Sequence, residues 1–187
     1  MSSFTRQAIM DSFLRLLLKK PFRKVTVRDI VEECGVNRTT FYYYYQDIYA
    51  IVEGLLSATL TPYAASLLGE AREEDLRDTS DFVKLYRRAL AGLWEGLGQE
   101  EIRRYVFGVI EEPLAAFVAR EAEGLSLDPS RLLTVRLLLR ETLYGFFYLL
   151  FRGEITVGTE EIEEATRGMV RRALENMAEK DKGGEDI

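Results

Sequence analysis

The sequence predicts an all-α fold of about nine helices, with a small N-terminal helix-turn-helix head and a larger C-terminal helical body. Three observations carry that expectation. Apolar residues recur at spacings of three and four through most of the chain, strand-like alternation is almost absent, and good N-cap residues precede the periodic runs.

Ile9, Phe13, Leu16 and Leu17 share one face of an amphipathic first helix, which Pro21 brings to an end. Thr26 is suited to cap a short second helix, VRDIVEEC, with Asp29 completing a capping-box pattern and Gly35 stopping it. After one turn residue, Asn37 caps a third short helix, RTTFYYYY, and Asp47 caps a fourth running from Ile48 towards Arg72. The polar interval REEDLRDTSD reads as a loop ending in Ser80 and Asp81 as caps. Helices follow over 82–97 and 100–112, with Gly96 and Gly98 marking the break, and Pro113 suits the first turn of another that continues to Glu123. Two long helices over 129–151 and 160–179, capped by Asp128 and Thr159, complete the pattern. The expected division is a head over 1–46, a regulatory and dimerisation body over 47–180, and a charged tail over 181–187.

Composition narrows the function. The 187 residues hold 25 Lys and Arg, 31 Asp and Glu, one Cys and no His. Without His there is no Ser-His-Asp or Cys-His nucleophile, no imidazole metal ligand and no histidine pH switch. Acid pairs such as Glu73-Glu74, Glu111-Glu112 and Glu160-Glu161 have no fixed geometry and read as solvated helix faces. No enzyme, metal site or cofactor is expected. The single Cys, Cys34, reads as a small buried hydrophobe in a reduced setting. Arg6, Asp11 and Arg15 break the first apolar run, so no signal peptide is read there. The apolar stretch 132–151 carries Arg136, Arg140 and Glu141, each costing about 2.5–3.5 kcal/mol at a bilayer centre, so it reads as a buried helix and the protein as cytoplasmic.

The two short helices after a longer one form a helix-turn-helix pattern. Val27, Ile30, Val31 and Cys34 supply one buried face, Phe41 and Tyr45 another, and Val36 plugs the turn. Left facing outward on the third helix are Arg38, Thr39, Thr40, Tyr42, Tyr43 and Tyr44, hydrogen-bonding groups with no acid among them. Charge is divided unevenly. Residues 1–56 carry eight bases and six acids, and 15–38 carry seven bases and three acids, so the net deficit of the chain lies entirely in the body.

From Thr26 through Gly35 to Tyr45, with Thr40-Phe41-Tyr42 at its centre and an apolar fourth helix after it, the sequence resembles the DNA-binding domain of TetR/AcrR-type transcriptional regulators. The resemblance covers 6 to about 56, and beyond it rests on helix count and order. It implies an all-helical homodimer whose N-terminal heads read double-stranded DNA at a near-palindromic operator. By the same resemblance Thr26 and Arg28 meet the phosphate backbone, Asn37 caps the recognition helix, and Arg38 and Thr39 face base edges. Thr40, Tyr42, Tyr43 and Tyr44 contact phosphate or a thymine methyl. Ile48 stands where the family often has Lys, and Tyr44 where it often has His.

In the body, 132–151 is apolar on nearly every side, which a helix tolerates when its own domain covers one side and a partner the other. Leu139, Leu143 and Phe147 there, with Ile162, Met169, Ala173 and Met177 on the last helix, are the expected dimer contacts in a four-helix bundle. Tyr63, Tyr86, Trp94, Tyr105, Phe107, Phe117, Tyr144 and Tyr148 are the expected lining of an effector cavity, with Arg140 or Glu141 orienting the ligand. The sequence thus reads as a dimeric repressor released by a small apolar or aromatic effector. Three alternatives stay open: an activator or co-regulator controlled by a protein partner, a helical interaction protein that does not bind DNA, and, last, an enzyme.

Overall fold

A computed structural model of the chain describes residues 2–67, 70–155 and 159–182, with side chains described over 4–66, 70–155 and 164–179. Among the described residues the chain forms eight α-helices and no strand: α1 (Ser2–Lys19), α2 (Val27–Cys34), α3 (Arg38–Tyr44), α4 (Ile48–Leu67), α5 (Glu73–Gly96), α6 (Gln99–Glu121), α7 (Pro129–Arg152) and α8 (Thr159–Lys182). A single 3-10 turn, Phe22–Lys24, links α1 to α2.

Two boundaries differ from the sequence reading. The interval 72–81 is not a loop, because α5 starts at Glu73. Its Glu73, Glu74 and Asp75 sit in the first turn, where negative charge meets the positive end of the helix macrodipole. Arg72 holds Asp75 through Nε and a terminal nitrogen, both at 2.8 Å. Leu76 and Val83, seven apart, both pack into the core and extend the buried stripe N-terminally. Pro113 does not open a helix either. It lies inside α6, whose buried residues Ile102, Val106, Ile110, Leu114, Phe117 and Val118 continue through it in register. Packing of that stripe overrides the break that proline favours. Nine expected helices therefore become eight, and Pro62 is likewise inside α4.

Other expectations hold closely. The side chains of Asp47 and Asp128 accept from the Ala50 and Ser130 amides at 2.9 and 2.7 Å. Gly35 stops α2 with φ 76° and ψ 17°, left-handed values that favour glycine. α8 extends through Lys182, into the first two residues of the expected tail; 183–187 lie outside the described residues.

One contiguous hydrophobic cluster joins all eight helices, from Ile9 in α1 to Leu174 in α8. α4 and α6 form the most extensive pair; α7 packs on α5 and α6, and α8 on α4, α6 and α7. α1 packs on α2 with one flank and on α5 with another. Leu139, Leu143 and Phe147, expected to face a partner, lie inside the chain's own core. The outer face of α7 instead presents Leu133, Leu137 and Leu138. On α8, Val170, Leu174 and Ala178 face inward, Met169 is 62% exposed, and Ala173 and Met177 are half-buried. The side chain of Ile162 lies outside the described residues. No described helix is long and apolar enough to cross a membrane.

Candidate nucleic-acid interface

α2 begins in a full capping box. The Thr26 amide donates to Asp29 Oδ2 at 2.8 Å, the Asp29 amide donates to Thr26 Oγ1 at 3.2 Å, and the Thr26 hydroxyl donates to the same carboxylate at 2.6 Å. Lys20, just past the end of α1, reaches that carboxylate at 2.7 Å. The Lys20 pair first, and the Thr26 bonds second, hold the Asp29 carboxyl down to about 2. A second link lies one turn on, where Glu33 accepts from Lys19 at 2.9 Å and from Arg15 at 3.1 Å, so its carboxyl is also lowered. Two acids of α2 thereby bolt it to two bases of α1 and to Lys20 just beyond it.

These bonds change the meaning of the basic segment. Of the seven bases between Arg15 and Arg38, Arg15, Lys19 and Lys20 are engaged by α2, and Arg28 pairs with Glu32 at 2.7 Å. Arg23 donates from Nε to the Gly96 carbonyl at 3.0 Å. Lys24 and Arg38 make no ion pair among the described residues, and both are exposed. Charge counting singled out Arg38 but passed over Lys24, whose signal is its place two residues before the Thr26 cap.

α3 starts at Asn37, whose Oδ1 accepts from the Thr40 amide at 2.8 Å. Phe41 is fully buried and Tyr45, 3% exposed, is buried beside it, with the Arg6 guanidinium 5.6 Å over its ring. Tyr45 itself has left the helix, as an extended C-cap at φ −141°. Opposite Phe41, Arg38 with Tyr42 and Thr39 with Tyr43 form two i, i+4 pairs on one exposed face. Tyr43 is 79% and Tyr42 54% exposed. Thr40 and Tyr44 are half-buried at the edge, and Tyr44 packs on the core with its ring 4.9 Å from that of Tyr43. Cys34 and Val36 are half-buried against the core around the turn. The outward face is smaller than the sequence suggested: four side chains in two rows.

Residues 9–55 match the family of bacterial regulatory proteins named for tetR. The helix-turn-helix segment is that of the TetR family. A curated relative, the uncharacterized HTH-type transcriptional regulator YerO of Bacillus subtilis (strain 168), is 24% identical over 209 residues, covering 94% of this chain and 69% of the relative. With this N-terminal helix-turn-helix match and a larger helical region behind it, the protein is a DNA-binding transcription regulator.

Six of the eight body residues expected to line a cavity are packed ring against ring. Trp94 lies 5.5, 5.8 and 5.3 Å from the rings of Tyr144, Tyr148 and Phe151, and Tyr144 lies 5.8 Å from Phe107. Tyr63 meets Phe147 at 6.0 Å, Tyr86 meets Phe82 at 4.9 Å, Tyr105 has Arg104 over its ring at 5.3 Å, and Phe117 is fully buried. Burial raises the Tyr63 and Tyr144 hydroxyls above the ordinary tyrosine range. Arg140 stands 4.3 Å over the Phe107 ring and contacts Glu141 at 3.2 Å, and Glu141 also pairs with Arg103 at 2.8 Å. None of the eight expected residues lines the open cavity of about 330 Å³ at the head–body joint. Phe22, Arg23 and Val25 line it from the turn before α2, Ile48 and Tyr49 from the start of α4, and Gly96 and Glu101 from α5 and α6. No cluster of three or more metal-ligating side chains occurs among the described residues.

Asp29 sets a pH dependence for the head. Its carboxyl titrates lower in the folded chain than in the unfolded one, where it sits near the ordinary 3.8. Its stabilisation is therefore complete above pH of about 4 and is lost as pH falls towards 2. Urea unfolding between pH 5 and pH 3 is expected to show a smaller loss of stability for Asp29→Asn than for the parent; equal losses would show that this carboxylate contributes nothing to the acid limb.

Proposed function

We propose that the protein is a homodimeric regulator whose α3 enters the major groove, placing Arg38, Thr39, Tyr42 and Tyr43 on base edges and flanking phosphates. The single observation that carries this is the acid-free double row on a helix capped by Asn37 and anchored by Phe41. Thr26, Arg28 and Lys24 meet phosphates beside it, Thr40 and Tyr44 contact DNA from the edge of the face, and Asn37 acts through the cap. The exposed leucines of α7 and Met169 of α8 support a two-fold dimer, which sets two heads at one fixed separation and calls for a near-palindromic operator.

Regulation takes one of two forms. A small apolar or aromatic effector that enters beside Trp94 would repack Tyr144, Tyr148 and Phe151 and shift the population away from the DNA-binding arrangement, which makes the protein a repressor. The tight mutual packing of those rings favours the other form, control by a protein partner. Trp94 is the chain's one tryptophan, so its emission reports directly on the cluster. Under the first form, aromatic compounds that release DNA also shift that emission; release with no change at Trp94 would place the effector elsewhere.

Arg38→Ala and Tyr42→Ala are each expected to weaken binding to the DNA beside the protein's own gene by about tenfold or more, the scale of one lost base contact. Unchanged binding in both would remove α3 as the reading element. With Lys24, Arg28 and Arg38 on each of two heads, about four to six phosphates are neutralised, giving a log–log salt slope between about −3.5 and −5.5. A much steeper slope would mean that the bases engaged by α2 leave it to bind DNA. Sedimentation at micromolar concentration is expected to give the mass of a dimer, and a persistent monomer would exclude the α7–α8 interface.

A further inference from the structure

The head meets the body at a contact that has no slack. Gly96, the last residue of α5, faces Phe22 so closely that a Cβ built on it would lie 2.7 Å from the Phe22 Cβ. That atom is fixed to the Phe22 backbone and cannot swing aside as the tip of a long side chain would. Approach, not a left-handed backbone, is thus what demands glycine here. The Gly96 carbonyl also accepts from Arg23 Nε at 3.0 Å, so one residue of the body holds two consecutive residues of the 3-10 turn. On its other sides the Phe22 ring meets Phe13 of α1 at 6.3 Å and Tyr49 of α4 at 5.7 Å, both edge-on. Phe22 is therefore wedged between α1, α4 and the end of α5, and the turn that carries it leads through Lys24 and Val25 into the Thr26 cap of α2.

The body touches the head by other routes, since α1 packs on α5 and α4 runs from one to the other. The Gly96 contact acts directly on the segment leading into α2, and the 330 Å³ cavity beside it leaves room on one flank of that segment. A shift of the α5 terminus therefore reaches α2 and α3 with only Val25 between the turn and the cap.

We propose that Phe22, Arg23 and Gly96 are positioning residues through which the body sets the orientation of the DNA-reading head. They act through α2 and α3 without touching a base. The proposal rests on the reading of α3 as the recognition helix and of the protein as a dimer. A misplaced head still binds one half-site but no longer matches two at a fixed separation.

The test uses the full-length protein and two probes: a duplex carrying the site that the parent selects from a random pool, and the same duplex with one half scrambled. Arg23→Ala and Gly96→Ala are expected to lose about tenfold or more on the full site and less than about twofold on the half site, because only bivalent engagement is disturbed. Changing the separation of the half-sites by about one base pair is expected to restore part of the Gly96→Ala loss. Arg23→Ala removes an exposed side chain and keeps the proposal testable should Gly96→Ala not fold. Equal losses on both probes would overturn the proposal, because they mark Arg23 as a phosphate contact or the head as damaged; so would no loss on either. If the parent selects no site at all, the DNA reading itself fails, an outcome distinct from these.

Discussion

Everything in this chain hangs on α1 having two partners. Its buried residues Ile9, Phe13, Leu14, Leu16 and Leu17 cover more than one side of the helix, so α1 cannot satisfy its apolar surface in a three-helix head alone. α2 takes one flank and α5 another. Burying a side chain of this size is worth roughly 1.5–3 kcal/mol, so five of them outweigh any single ion pair in the head. The ion pairs from α1 to Glu33 and from Lys20 to Asp29 therefore do not hold the fold together so much as fix the angle at which α2 leaves α1. Angle, more than stability, is what a reading helix needs from its support.

The head was legible almost residue by residue because its signals are local. Thr26, Asp29, Gly35 and Asn37 each act within three or four positions in sequence, and all four do what their spacing implies. The body was legible in content but not in boundaries. Glu73 to Asp75 look like loop to any reading that equates polarity with irregularity, and only the core contacts of Leu76 show that the turn is paid for by burial. Pro113 has the same local signature as a helix start, yet the buried stripe across it settles the matter from outside the segment. Leu139, Leu143 and Phe147 illustrate a further limit: an all-round apolar helix shows that it is covered, but not which side faces its own chain.

Electrostatics shows the same contrast between count and arrangement. The surplus of bases around the helix-turn-helix is real, yet most of it is bound to acids or to a carbonyl within the protein. What remains outward is a short list, Lys24 and Arg38 foremost, beside uncharged Tyr42 and Tyr43. Such a surface attracts DNA weakly at long range and depends on close contact, and the acidic body behind it adds repulsion that any duplex meets equally. Discrimination is then left to hydrogen bonds and ring contacts at the groove.

The two helices that pack most extensively on each other, α4 and α6, each contain an internal proline. Pro62 and Pro113 have no amide hydrogen, so the carbonyls of Ala58 and Val109 lack their helical donors. Each rod is thus one rung short in its ladder, and the two pack on each other. A beam weakened at one rung bends there before it breaks elsewhere. The route between the deep body and the DNA-reading end is therefore compliant by covalent chemistry, and amide exchange beside these two positions would be the first to register motion along it.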